Sequence, residues 1–135
     1  MKKIFGTVIT PLVWTIFIQI ILCLPLPALP MSGTFETPHI DKIAHIIIFG
    51  VFVALWCLYF SAQNLTSRQC RVIFFFVFLI AMVNGIAIEY IQLYFIPNRD
   101  FDQGDIIADL ISAGISYGIC NVRLIRDEWK NVPPK

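Results

Sequence analysis

Three pairs of polar side chains stand at helical spacing in an otherwise apolar chain. Asp41 and His45 are four residues apart, Glu89 and Gln92 three, and Asp105 and Asp109 four, so each pair shares one face of a helix. These side-chain types suit proton transfer on an anionic ligand. A histidine oriented by a carboxylate serves as general acid or base, a desolvated carboxylate as a second proton-transfer group, and a guanidinium as an anion clamp. On this basis Asp41 orients His45, and Asp41, His45, Glu89 and Asp105 are the catalytic candidates. Lys42, Gln92, Arg99, Asp102 and Asp109 are the candidates for holding a substrate. His45, Glu89, Asp105 and Asp109 also have the N/O chemistry of metal ligands. No HExxH-like signature fixes a geometry, so no metal ligand is assigned and the cofactor is left open.

Each group also has a plain structural use. Asp105 after Gly104 suits a helix N-cap, and Asp41 suits dipole compensation in a first turn. His45 can be a neutral bundle residue, and Arg99 with Asp102 a loop salt bridge. Glu89 and Asp109 are harder to dismiss, because a carboxylate within a membrane segment is a functional candidate by default.

The elements that would position these groups are membrane helices. Of 135 residues 58% are hydrophobic and 14% charged, too apolar for a soluble domain covering itself with polar surface. No Asp, Glu, Lys or Arg occurs between Lys3 and Glu36, Lys42 and Arg68, or Arg71 and Glu89, and the stretch Ile106 to Val122 holds only Asp109. A span needs about 20 apolar residues, so the length accommodates about four in one domain covering residues 1–135. The expectation is an all-α membrane bundle with helices near 5–24, 43–60, 72–95 and 106–121. Thr37 and Pro38 are expected to start the second helix as N-cap and first helical residue. The first run is too long for a signal-peptide core and lacks a small-x-small cleavage site, which favours a retained span.

Loop charges suggest an orientation. With the N-terminus inside, Lys2, Lys3, Arg68, Arg71, Arg123, Arg126, Lys130 and Lys135 are cytoplasmic and only Lys42 and Arg99 lie outside. Both termini are therefore expected in the cytoplasm of a multi-pass cell-membrane protein. The same placement puts Glu36, Asp41, Glu89, Asp100, Asp102, Asp105 and Asp109 on the outer side. Charged groups cost roughly 2.5 to 3.5 kcal/mol each at a helix centre in the bilayer, so they should gather in one polar pocket with His45, Lys42 and Arg99. The helices carrying Asp41 and Asp105 both begin at that face, and their positive dipole ends suit an anion such as a lipid phosphate.

The remaining signals are mainly structural. Cys57, Cys70 and Cys120 fall on the reducing side and Cys23 stands apart, so no outer disulfide framework is expected. The sequon Asn64-Leu65-Thr66 lies in the expected cytoplasmic loop. Ala81 with Gly85, and Gly114 with Gly118, have small-residue spacings for close helix approach, and the second pair also suits oligomerisation. Dispersed basic residues give no nucleic-acid footprint.

Asp41-Lys42-x-x-His45-x-x-x-Phe49-Gly50, then Glu89-x-x-Gln92, then Arg99-x-x-Asp102-x-x-Asp105 resemble the VanZ-like family of small bacterial membrane proteins. The resemblance covers most of the chain after Pro38. It implies association with the cell envelope and, through the name-giving member, with resistance to the glycopeptide antibiotic teicoplanin, but it brings no established reaction. The family pattern usually has Asn four residues after the second Asp and Gly three beyond that, where this chain has Asp109 and Ser112.

Two function classes follow. One is an enzyme acting on a lipid-linked or phosphorylated envelope component at the outer leaflet; the other is a non-catalytic module binding a lipid headgroup, a glycopeptide antibiotic or a partner protein. A purely structural cluster is a third. A transporter is disfavoured, because no inward-side set of ionisable residues completes a pathway.

Overall fold

A computed structural model of the chain describes residues 7–24, 38–97 and 99–130. The expectations resting on Lys2, Lys3, Glu36, the Thr37 cap and Lys135 lie outside those residues. Four helices follow in chain order: α1 (Ile9–Leu22), α2 (Pro38–Ser61), α3 (Ser67–Phe95) and α4 (Gln103–Lys130). No strand occurs among the described residues, so the fold is all-α, as expected.

Among the described residues three helices are long and apolar enough to cross a membrane, over Asp41–Ser61, Ser67–Phe95 and Gln103–Glu128. At 1.5 Å per residue each exceeds the roughly 30 Å of hydrocarbon in a bilayer. Only 33%, 33% and 28% of their apolar windows are buried inside the bundle. Ile47, Phe76, Val83, Ile119 and Val122 accordingly point outward, an exterior suited to lipid. α1 has 14 residues, about 21 Å of helix, which is shorter than the expected first span.

Local chemistry explains the boundaries. Pro11 lies in the first turn of α1, where its missing N–H breaks no helical bond. α3 begins five residues before the expected Val72, because Thr66 and Gln69 form a capping box in which each side chain bonds the other's backbone N–H. Thr66, the last residue of the sequon, thus serves as a helix cap. α4 begins at Gln103 because Asp102 precedes it as cap, its Oδ1 accepting from the Gly104 N–H at 2.6 Å. The N-cap role considered for Asp105 therefore belongs to Asp102, and Asp105 lies in the first turn.

The core lies among α2, α3 and α4. Phe49, Val53 and Cys57 from α2 meet Phe74, Ala81 and Ile88 from α3 and Ala113 from α4. α1 is held by the Trp14 indole donating to the Ile48 carbonyl, by Trp56 donating to Thr15 Oγ1, and by Gln19 donating to Asn84 Oδ1. All four cysteines are free, and Cys57 and Cys70 are buried in the core. A Cβ on Gly118 would meet nothing within 4 Å and one on Gly114 would touch only Phe78, so the GxxxG pair makes no close helix crossing among the described residues.

Candidate functional site

The polar residues converge at the end of the bundle where α2 and α4 begin and α3 finishes. Asp41, Lys42 and His45 occupy the first two turns of α2, and Glu89 and Gln92 the last two of α3. Arg99 and Asp102 lie in the α3–α4 connection, with Asp105 and Asp109 in the opening turns of α4. Antiparallel packing of α3 against its neighbours makes one cluster, in which His45 and Asp109 pair across 64 positions of sequence.

His45 is fully buried, and its Nδ1 lies 3.0 Å from Asp109 Oδ1. Asp41, the orienting partner expected from its spacing, instead accepts from Arg99 Nη1 at 2.9 Å. The reason is rotational: residues four apart share a helix face, but the His45 ring projects across to α4, whose Asp109 reaches the same depth. Lys42 donates to Asp102 and, at 3.1 Å, to Asp105. The loop salt bridge considered between Arg99 and Asp102 is thus replaced by three pairs, Arg99 with Asp41 and Lys42 with Asp102 and Asp105, that tie α2 to the connection and to α4.

Glu89 is buried and accepts the Asp102 N–H through Oε2 at 3.0 Å. Asp102 is therefore held three ways: by Lys42, by the Gly104 N–H on its carboxylate, and by Glu89 on its backbone. The Lys42 ammonium, followed by the Gly104 N–H, keeps the Asp102 carboxyl below the usual carboxylate range. Gln92, a substrate-binding candidate, is buried with its amide donating to the Leu22 carbonyl at 2.8 Å, where it ties down the end of α1.

Four buried polar atoms of the cluster have no hydrogen-bond partner among the described residues: His45 Nε2, Glu89 Oε1, Arg99 Nε and Asp109 Oδ2. The cluster is otherwise closed on itself by ion pairs. A cavity of about 450 Å³ lies elsewhere, lined by Thr15, Gln19, Asn84 and apolar residues of α2 and α3, and no residue of the cluster borders it. One ring nitrogen of His45 and one carboxylate oxygen from each of Asp41 and Asp105 lie within 4.8 Å of one another, the spacing of a possible cation site.

Sequence reasoning missed two residues that shape the cluster. A Cβ on Gly85 would come within 2.7 Å of Asp109 Oδ2, so this glycine supplies the room the carboxylate occupies. A Cβ on Gly104 would come within 2.5 Å of Lys42 Nζ. The spacing of Gly85 from Ala81 points only to helix approach; the signal for its second role is a carboxylate inside an apolar span with a glycine at matching depth on the neighbouring helix. Close packing opposite Ser112 instead involves Gly50, whose added Cβ would meet Ser116 Oγ at 3.4 Å and Ser112 Cβ at 3.7 Å.

The family model described as VanZ/LLP1 matches residues 3–125. The chain belongs to the VanZ/LLP1 family. Neither the curated proteins nor the solved structures contain a match to it. The VanZ/LLP1 match includes every residue of the polar cluster, in agreement with the resemblance carried by the motifs around His45, Glu89 and Arg99.

Proposed function

We propose that the polar cluster faces the outside of a bacterial cell membrane and receives the anionic headgroup of a lipid-linked or phosphorylated envelope component. The observation that carries this reading is the set of four unpartnered buried atoms, His45 Nε2, Glu89 Oε1, Arg99 Nε and Asp109 Oδ2, at one end of a membrane bundle. A buried polar atom left unpaired costs about 1–3 kcal/mol, so four together favour a site completed by something bound there. In this scheme Lys42 and Arg99 attract the anion. His45, oriented by Asp109, and Glu89 are the proton-transfer groups, with Asp41, Asp102 and Asp105 positioning the cations. The eight-to-two distribution of Lys and Arg supports an outward-facing site with both termini in the cytoplasm.

A second reading, binding without chemistry, is favoured by the closure of the cluster. Lys42 and Arg99 are both already paired with carboxylates, and a bound headgroup, glycopeptide or partner protein need only exchange those pairs. Purified protein in vesicles of phosphatidylcholine doped with phosphatidic acid or a polyprenyl phosphate distinguishes the two. Release of product by the wild type, lost in His45→Gln and Glu89→Gln, identifies an enzyme. Saturable binding without product identifies the non-catalytic module, and failure of the wild type to bind either lipid ends the enzyme reading and the headgroup form of the second. Orientation has its own assay: alkaline phosphatase fused after Lys135 should be inactive and a fluorescent protein fused there should fold, and the reverse result overturns the topology.

A further inference from the structure

We propose that Asp41, His45 and Asp105 bind a divalent transition-metal cation of the Mn²⁺ or Zn²⁺ class, with Asp109 orienting the imidazole. The three side chains come from α2 and α4 at one depth, and one ligand atom from each lies within 4.8 Å of the others. Two ligands about 2.1 Å from one ion can stand up to about 4.2 Å apart, so a small contraction closes the set around a cation.

Two further observations point to the same occupant. His45 is fully buried, its Nδ1 is engaged by Asp109, and its Nε2 has no partner among the described residues. A metal-binding imidazole has this arrangement, with one nitrogen fixed by a carboxylate and the other free to ligate. The second is charge. Five carboxylates, Asp41, Glu89, Asp102, Asp105 and Asp109, face two permanent cations, Lys42 and Arg99, which leaves three formal negative charges, or two with His45 protonated. A half-buried cluster in a membrane protein does not keep that excess without protons or a cation. Arg99 and Lys42 each hold only one oxygen of Asp41 and Asp105, and the pairs fix the carboxylates in place.

The donor set selects the ion. One imidazole with carboxylates, and no thiolate among the three, suits Mn²⁺, Fe²⁺ or Zn²⁺ over Cu⁺, and the imidazole disfavours Mg²⁺ and Ca²⁺. Three protein ligands leave coordination positions open. A phosphate oxygen in one of them would resolve how a net-negative cluster holds an anion. For that role the inference rests on the function proposed above; for the ion itself it rests on the geometry and charge of the cluster.

The test uses the full chain purified in detergent, stripped with EDTA and titrated with MnCl₂ or ZnCl₂ by calorimetry. One ion per chain is expected, with a rise in melting temperature at saturation. His45→Gln and Asp105→Asn should weaken binding at least tenfold, and Asp109→Asn by ten- to a hundredfold through loss of the ring's orientation. The surface variant Arg71→Gln should leave it unchanged. The ¹⁴N coupling of one imidazole in the spin-echo spectrum of the Mn²⁺-loaded wild type needs no variant, so an unfolded His45→Gln does not block the test. Absence of stoichiometric binding, absence of that coupling, or equal affinity in well-folded His45→Gln and Asp105→Asn overturns the proposal. Phosphate-lipid binding that survives EDTA in a protein holding no ion refutes the metal alone, whereas ion binding without lipid binding refutes the proposed ligand alone.

Discussion

The two ends of this bundle use the same kinds of charged side chain under opposite conditions. Where α3 begins and α4 finishes, Arg71 Nη1 lies 3.2 Å from Glu128 Oε2, with side chains 43% and 36% exposed. At the other end His45 and Asp109 are 3.0 Å apart with side chains 0% and 3% exposed. An exposed pair contributes at most about 1 kcal/mol, since water solvates either partner alone almost as well. A buried pair has no such alternative. Losing one partner strands the other in a low-dielectric interior, so the polar end is more sensitive to truncation although its ion pairs have similar distances.

The contrast fails first if Asp109 proves dispensable. Asp109→Ala should cost about 3 kcal/mol or more in a reversible denaturation measurement in detergent, because His45 would lose its only hydrogen-bonded partner among the described residues. Asp109→Asn, which keeps an oxygen beside the ring, should cost less. A loss in Asp109→Ala no larger than that in Glu128→Ala would remove the distinction between the ends.

Gly85→Ala sharpens it. The added methyl would lie 2.7 Å from Asp109 Oδ2, and overpacking of this kind costs about 1–3 kcal/mol. If the carboxylate is the obstacle, Gly85→Ala combined with Asp109→Ala should cost clearly less than the two separately. Strict additivity would mean that the glycine serves some other contact.

Asp102 is intermediate, a half-exposed residue at the buried end. Asp102→Ala should cost about 1 kcal/mol through loss of the α4 cap, seen as faster hydrogen exchange at Gly104 and Asp105. Its carboxyl is held below the ordinary value near 4, so its contribution is complete above that value. The contribution should fade as the pH drops through the lower folded value, and the wild-type advantage over Asp102→Asn should shrink on acidification and not on raising the pH. The smallest effect belongs to Arg71→Gln or Glu128→Gln, close to the precision of the measurement and diminished further by salt.

Membrane residence, helical class and the depth of each polar group were legible from the residues alone. Uncharged runs bounded by Arg68, Arg71, Glu89 and Asp105 mark spans because lipid excludes charge, and i, i+4 spacing places Asp41 with His45 and Asp105 with Asp109 on common faces. Helix starts were displaced outward by caps whose strength depends on backbone geometry, as Thr66 with Gln69 and Asp102 with Gly104 demonstrate. Only the tertiary structure decided that His45 pairs with Asp109, Asp41 with Arg99 and Gln92 with Leu22, and that Gly85 makes room for a carboxylate. Periodicity specifies which face of its own helix a residue occupies. The partner across the interface depends on the rotation and axial register of two helices, and those are set by the packing of Phe49, Phe74, Ile88 and their neighbours in the core.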